Sequence, residues 1–378
     1  MTSQLNNKIR GLDGLRAVAF LLVFGLHTGY VRFGWMGVQL FFVISGFLIT
    51  DILLRMKESL PPREYFLKFY ARRFLRIFPL YYFFLTALAG LAIWLAADQY
   101  KPNVMQILLA QLKFAFLYLF NFFSATNGYA DLGILDHIWS LSVEEQFYIV
   151  WPLLILLIPR RMLKGFFIAG MVSGLIFRVA IFFIVKAEIF PILRASAPLV
   201  VYFMTFSHVD AFSFGAYISR FPLRKPRLFF ALLCFVVPVV GVATHYLFSG
   251  SFVSAPALGF DFLMPVSYQF LWAYSLLNIW FMYLVYIVAF EKAFTPILEL
   301  PPLRYLGRIS YGLYVYHFPV IWFVEQVQSD TNFLPNMGKP GVMLISLALT
   351  FLLAALSFHF LEAPFLKLKD RFSYSPQA

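Results

Sequence analysis

Apolar stretches of membrane-spanning length alternate with short polar connectors along almost the whole chain, and this pattern predicts a bundle of transmembrane helices. A hydrocarbon core about 30 Å thick needs about 20 helical residues. Candidate runs fall near 12–30, 36–54, 77–97, 104–123, 142–158, 163–186, 204–219, 228–248, 269–290, 309–327 and 340–362. No hydrophilic stretch between them is long enough to fold as a soluble domain. The expectation is therefore an all-α, polytopic bundle, with residues 1–378 forming one integral-membrane domain.

Charge decides which runs cross, because Lys and Arg favour cytoplasmic loops. The segment with Arg55, Lys57, Arg63, Lys68, Arg72, Arg73 and Arg76 reads as a cytoplasmic loop, which places the N-terminus inside as well. If all the runs crossed, the loop holding Arg160, Arg161 and Lys164 would lie outside. Treating 104–123, with its Gln106, Gln111, Lys113 and Asn121, as re-entrant or interfacial restores consistency, since such elements pack against protein or a cavity. About ten spans result, with both termini cytoplasmic and a flexible tail after about 367. Of the 30 Lys and Arg residues, 22 are then inside, six are outside, and Arg16 and Arg178 lie within spans. The N-terminal segment lacks a small-residue cleavage site and is not expected to be a cleaved signal peptide.

Composition agrees with a polytopic membrane protein that has the lipid bilayer as its constant partner, and the plasma (inner) membrane is the expected location. Apolar residues make up 61% of the chain and charged residues 13%, against roughly 45–50% and 25% in soluble domains. The formal charge of +12 is dispersed among loops, so it indicates topology and not a nucleic-acid partner. With Cys234 as the one cysteine, an intrachain disulfide and a thiolate cluster are excluded. No HExxH, EF-hand, P-loop or dinucleotide fingerprint occurs, and no metal is expected.

Within the first run, Arg16 and His27 are ionisable residues in hydrocarbon, which marks functional candidates. Eleven positions apart, they share one helical face about 16 Å apart along the axis. In the second run, Gly37, Ser45 and Gly46 make room either for a packed helix or for a ligand chain, with Gln39 beside them. Arg72, Arg73 and Arg76 serve either as a topological anchor or as phosphate ligands. In HIWSLSVEEQFYIVWPLL, Ser142 and Glu145 fit a capping box. Glu144 lacks that explanation, and loop charges put it at the outer level with His27. His208, His317 and Asp210 are membrane residues that demand partners, Asp210 a cation or several donors. His137 and His245 read as loop or span-end residues, and His359 as interfacial.

Taken in order, LDGLRAVAFLLVFGLH, GVQLFFVISGFLIT, ARRFLRIFPLYY, WSLSVEEQFYIVWP, VDAFSFGA, ISYGLYVYHFPV and FLEAPF resemble acyltransferase family 3, nearly end to end. His208 stands where that family often carries Arg. The chain looks like the stand-alone type, without a fused soluble hydrolase-like domain. The resemblance implies an O-acyltransferase that moves an acyl group, usually acetyl, from cytoplasmic acyl-CoA (acetyl-CoA) to a hydroxyl of an extracytoplasmic acceptor such as a glycan or lipid-linked sugar. No permanently bound cofactor is implied. Under this reading His27 is the general base, Glu144 orients it, and Arg16 with Arg72, Arg73 and Arg76 binds the donor. An acyl-His27 relay is the mechanistic alternative. Asp13, Gln39, Ser45, Trp139, Ser140, Tyr148, Asp210, Tyr314 and His317 are expected to be structural or to line the substrate cavity. A proton-coupled transporter or flippase is the competing class, but no internal repeat of the kind such folds carry is visible.

Overall fold

The structure is a computed structural model that describes residues 9–127, 133–252, 257–330 and 337–373. Parts of the expected cytoplasmic N-terminus and flexible tail lie outside these residues. Sixteen α-helices are present among the described residues, with no strand. They are α1 Arg10–His27, α2 Met36–Ser59, α3 Pro62–Ala97, α4 Pro102–Phe116, α5 Phe120–Asn127, α6 Ile138–Leu157, α7 Leu163–Lys186 and α8 Ala197–Phe203. There follow α9 Val209–Arg220, α10 Pro226–Ser249, α11 Gln269–Glu291, the short α12 Thr295–Leu298 and α13 Pro301–Arg308, then α14 Ser310–Asp330, α15 Lys339–Ser357 and α16 Ala363–Leu368. A π-helical turn, Phe358–Glu362, joins the last two. Pro62, Pro102 and Pro226 open their helices, where a missing N–H costs nothing and a fixed φ suits the first turn.

Among the described residues, seven helical stretches are long and apolar enough to cross a membrane, or eight if the pair α8 and α9, broken at Met204, counts as one span. Two expected spans fall outside this set. α1 carries Arg10, Asp13 and Arg16, and α14 is diluted by polar residues that include Glu325 and Asp330. The 104–123 run is broken between α4 and α5, where Tyr118 has φ +53°. At 15 residues, α4 is only about 22 Å long, short of the hydrocarbon thickness. The basic stretch read as a loop is largely helical. Arg55 and Lys57 end α2, and Arg63 to Arg76 occupy the first half of the 36-residue α3. Its apolar periodicity simply continues through the charges.

The chain divides into two compact units. Unit 1 comprises Met1–Asp51, Arg160–Phe183 and Phe206–Ser310; unit 2 comprises Ile52–Pro159, Ile184–Thr205 and Tyr311–Ala378. In unit 1, glycines allow backbone to touch backbone around α1. A Cβ on Gly307 of α13 would lie 1.8 Å from the Asp13 carbonyl oxygen, one on Gly14 2.2 Å from that of Leu298, and one on Gly37 2.3 Å from that of Ala19. Gly46 in α2 meets the Phe212 backbone of α9 in the same way. Gly37 and Gly46 of the second run therefore serve helix packing.

In unit 2, α3 lies antiparallel to α6. The Tyr65 hydroxyl donates to the Pro152 carbonyl (2.9 Å), the Tyr70 hydroxyl to that of Ile149 (2.8 Å), and Arg73 covers the Tyr148 ring. The break between α4 and α5 is satisfied by side chains, as a break at membrane depth requires. Gln146 Nε2 donates to the Tyr118 carbonyl (2.8 Å) and to Asn121 Oδ1 (2.9 Å), while Asn121 Nδ2 donates to Thr205 Oγ1 (3.0 Å). Thr205 returns a hydrogen bond to Gln146 Oε1.

Candidate functional site

His27 is the last residue of α1, and its side chain is half-buried. The chain turns immediately afterwards. Thr28 and Gly29 donate their backbone N–H groups to Phe24 and Leu26 carbonyls, and Gly29 takes φ +79°, a conformation that suits glycine. The imidazole thus stands at a helix C-terminus, where the helix dipole favours a cation. Arg16 sits three turns back on the same helix and is ion-paired with Asp13 at 3.2 Å. Asp13 is buried, whereas the Arg16 side chain keeps 30% exposure. The guanidinium is therefore positioned by a local carboxylate and remains accessible.

A second polar group fills the core of unit 1. α7 is mostly exposed, yet its Arg178 is fully buried. Arg178 donates through Nε to the Leu271 carbonyl (2.6 Å), through Nη1 to that of Ser207 (2.5 Å), and through Nη2 to Asp210 Oδ2 (2.9 Å). Asp210 also accepts from Ser275 Oγ (2.7 Å), Asn278 Nδ2 (3.2 Å) and the Ala211 backbone N–H (2.9 Å). The cation and donors that Asp210 was expected to need are all present. Gln39 and His208 are likewise fully buried, with Gln39 Nε2 3.0 Å from His208 Nδ1. In the tautomer protonated at Nε2, His208 accepts this bond. The Tyr274 ring lies 5.4 Å from the Arg178 guanidinium carbon and 5.7 Å from the His208 ring, linking the two pairs. Ser45 is half-buried on α2.

Unit 2 gathers the other expected residues along α6. Ser140, Glu144 and Tyr148 follow one another at one-turn spacing, and the Tyr148 hydroxyl donates to Glu144 Oε1. Near the start of α6, Ser140 Oγ and the Tyr314 hydroxyl lie 2.5 Å apart, so one donates to the other and the other donates to the His137 carbonyl, which is 3.0 and 3.2 Å from the two oxygens. His317 Nδ1 donates to the Tyr314 carbonyl (2.6 Å) and His137 Nε2 to that of Val315 (3.0 Å), since a carbonyl can only accept. Trp139 is buried and packs its ring 4.4 Å from that of Tyr202. His137 is the N-cap of α6, at the span end where it was expected.

One expectation changes. The capping box fails because α6 already begins at Ile138, so Ser142 lies inside the helix and donates instead to the Ile138 carbonyl (3.3 Å). Buried Glu145 instead has Glu144, Arg73 and the tyrosines 81, 82, 118 and 311 within its electrostatic reach. Arg72, Arg73 and Arg76 meet different partners. Arg72 donates to the Lys369 and Phe372 carbonyls (3.5 and 3.4 Å), Arg73 stacks on Tyr148 and Phe69, and Arg76 acts on Glu362. The Arg178–Asp210 pair escaped sequence reading, although two opposite charges inside apolar runs were the available signal.

The fold and these buried ionisable groups define a multi-pass membrane protein. Residues 9–359 match the family described as an acyltransferase domain, and the chain belongs to that family, acyltransferase family 3. Among curated relatives, it is 28% identical over 95% of its length to peptidoglycan O-acetyltransferase OatA of Listeria monocytogenes, and 26% identical over 94% to O-acetyltransferase OatA of Staphylococcus aureus. It spans 56% and 57% of the length of these two relatives. No solved structure gives a significant match.

Proposed function

We propose that the protein transfers an acyl group, most simply acetyl, from cytoplasmic acyl-CoA to a hydroxyl of an extracytoplasmic glycan. Family membership supports acyl transfer, and the names of the relatives support acetyl as the group and a glycan as the acceptor. The observation that carries the reading is His27, half-buried at the end of α1, on the helix that also holds Arg16 against Asp13.

In the proposed step, a neutral His27 nitrogen takes the acceptor hydroxyl proton as the oxygen attacks the thioester carbonyl. The tetrahedral intermediate collapses with cleavage of the carbon–sulfur bond, and the CoA thiolate leaves, to be protonated to the thiol. Arg16 binds the donor's phosphate or pantetheine region. The first half of α3, with Arg72, Arg73 and Arg76, supplies positive potential for the remaining phosphates. Glu144, held by Tyr148, is the carboxylate of the reaction. In this reading α1 and α14 complete ten spans, and both termini are cytoplasmic.

The test is thiol release from acetyl-CoA by purified protein with glycan oligomers, with the ester detected by mass spectrometry. His27→Ala is expected to lower turnover about 10²–10⁴-fold with an unchanged elution profile. Normal turnover in that variant would sink the proposal.

A further inference from the structure

We infer that a cavity in unit 2, between α5 and the segment that follows α7, holds the phosphate headgroup of an anionic membrane lipid. The cavity has a volume of about 570 Å³, and Lys113, Phe114, Phe122, Phe123, Ile192 and Arg194 are among its lining residues. Its form is set locally. The Arg194 backbone N–H donates to the Thr126 carbonyl (3.3 Å), which ties the segment to the end of α5. Phe114 and Phe123 pack with ring centroids 4.7 Å apart and make an aromatic floor.

Two features select the ligand. The first is charge. Lys113 and Arg194 are both exposed cations, and neither takes part in an ion pair with a carboxylate among the described residues. Among the described residues, no acidic side chain lines the cavity. The second is the rim. Leu119 and Ile192 are 39% and 66% exposed, and their chain neighbours Leu117 and Phe190 are 67% and 55% exposed. Large apolar side chains clustered beside two cations suit the boundary between hydrocarbon and headgroups, where basic residues attract anionic lipid and apolar side chains meet acyl chains. A neutral lipid would leave the positive potential unmatched, and a soluble phosphate would make no use of the rim.

The full chain in neutral detergent is titrated with dioleoylphosphatidylglycerol, dioleoylphosphatidylcholine or inorganic phosphate, and retained lipid is followed by native mass spectrometry. The anionic lipid is expected to be retained in preference to the zwitterionic one. Lys113→Gln with Arg194→Gln should weaken its retention roughly thirtyfold, with no change in elution, because both side chains are exposed. Leu119→Gln with Ile192→Gln, which keeps both cations, should also weaken retention. Equal retention of the two lipids, wild-type retention by either double variant, or displacement of the lipid by millimolar phosphate would overturn the proposal. The wild-type comparison of the two lipids stands even where a variant misfolds.

Discussion

Asp210 and Arg178 are fully buried and ion-paired, and their remaining hydrogen bonds go to Leu271 and Ser207 on one side and to Ser275 and Asn278 on the other. Removing one partner strands a charge, a change that costs about 3–5 kcal/mol for a buried pair, whereas removing both can be nearly neutral. Arg178→Met is therefore expected to lower the melting temperature in detergent sharply, and the double variant with Asp210→Asn to recover most of the loss. A double variant as unstable as the single one would show that packing, not charge, holds the site. Asp136, in the turn before α6, gives a pH signature. Burial pushes its carboxyl from 3.8 up to about 7. The folded chain thus binds this proton more tightly than the unfolded chain, so stability is full below about pH 4 and falls as the pH rises toward 7. Melting measured between pH 4 and 8 should show this decline, and Asp136→Asn should flatten it. Residue identity was legible where a polar side chain interrupts an apolar run, as with Arg16, His27 and Asp210. Partnership was legible only locally. Arg178 and Asp210 are separated by 32 positions, and no helical periodicity connects residues that far apart.

Helices were read well because a spanning run of apolar residues has few other ways to satisfy its backbone. Their ends were read poorly. The charged first half of α3 and the aromatic start of α6 continue their helices beyond the apolar runs, since a helix outside the hydrocarbon needs no apolar side chains. Close packing between elements was visible only as isolated glycines. Gly307 and Gly90 look equivalent in the sequence, yet a Cβ on Gly307 would strike the Asp13 carbonyl oxygen at 1.8 Å and one on Gly90 would meet nothing within 4 Å. Gly307→Ala is expected to cost about 1–3 kcal/mol through overpacking. Gly90→Ala in α3 should be neutral or slightly stabilising, because alanine is the better helix former. Melting curves of the two variants, measured side by side, check the contrast; equal shifts would contradict it.

At the scale of the whole molecule, orientation is the property that the proposed ten-span arrangement predicts and that single helices do not. With the exposed Cys234 replaced by serine, single cysteines report sidedness through a membrane-impermeant maleimide on intact cells. Glu188→Cys, beyond the end of α7, is expected to react, and Arg224→Cys, between α9 and α10, to react only after the membrane is opened. The reverse pattern would invert the bundle and place His27 on the cytoplasmic side. The buried guanidinium of α7 also bears on how the chain is made. Arg178 leaves the ribosome before Asp210, and at about 5–20 residues per second the 32-residue interval lasts some seconds. During that interval α7 carries a charge that the bilayer penalises by about 2.5–3.5 kcal/mol at the centre of a span, with its eventual partner not yet synthesised. The many apolar residues of α7 offset that penalty, and the arrival of α9 removes it by supplying the carboxylate.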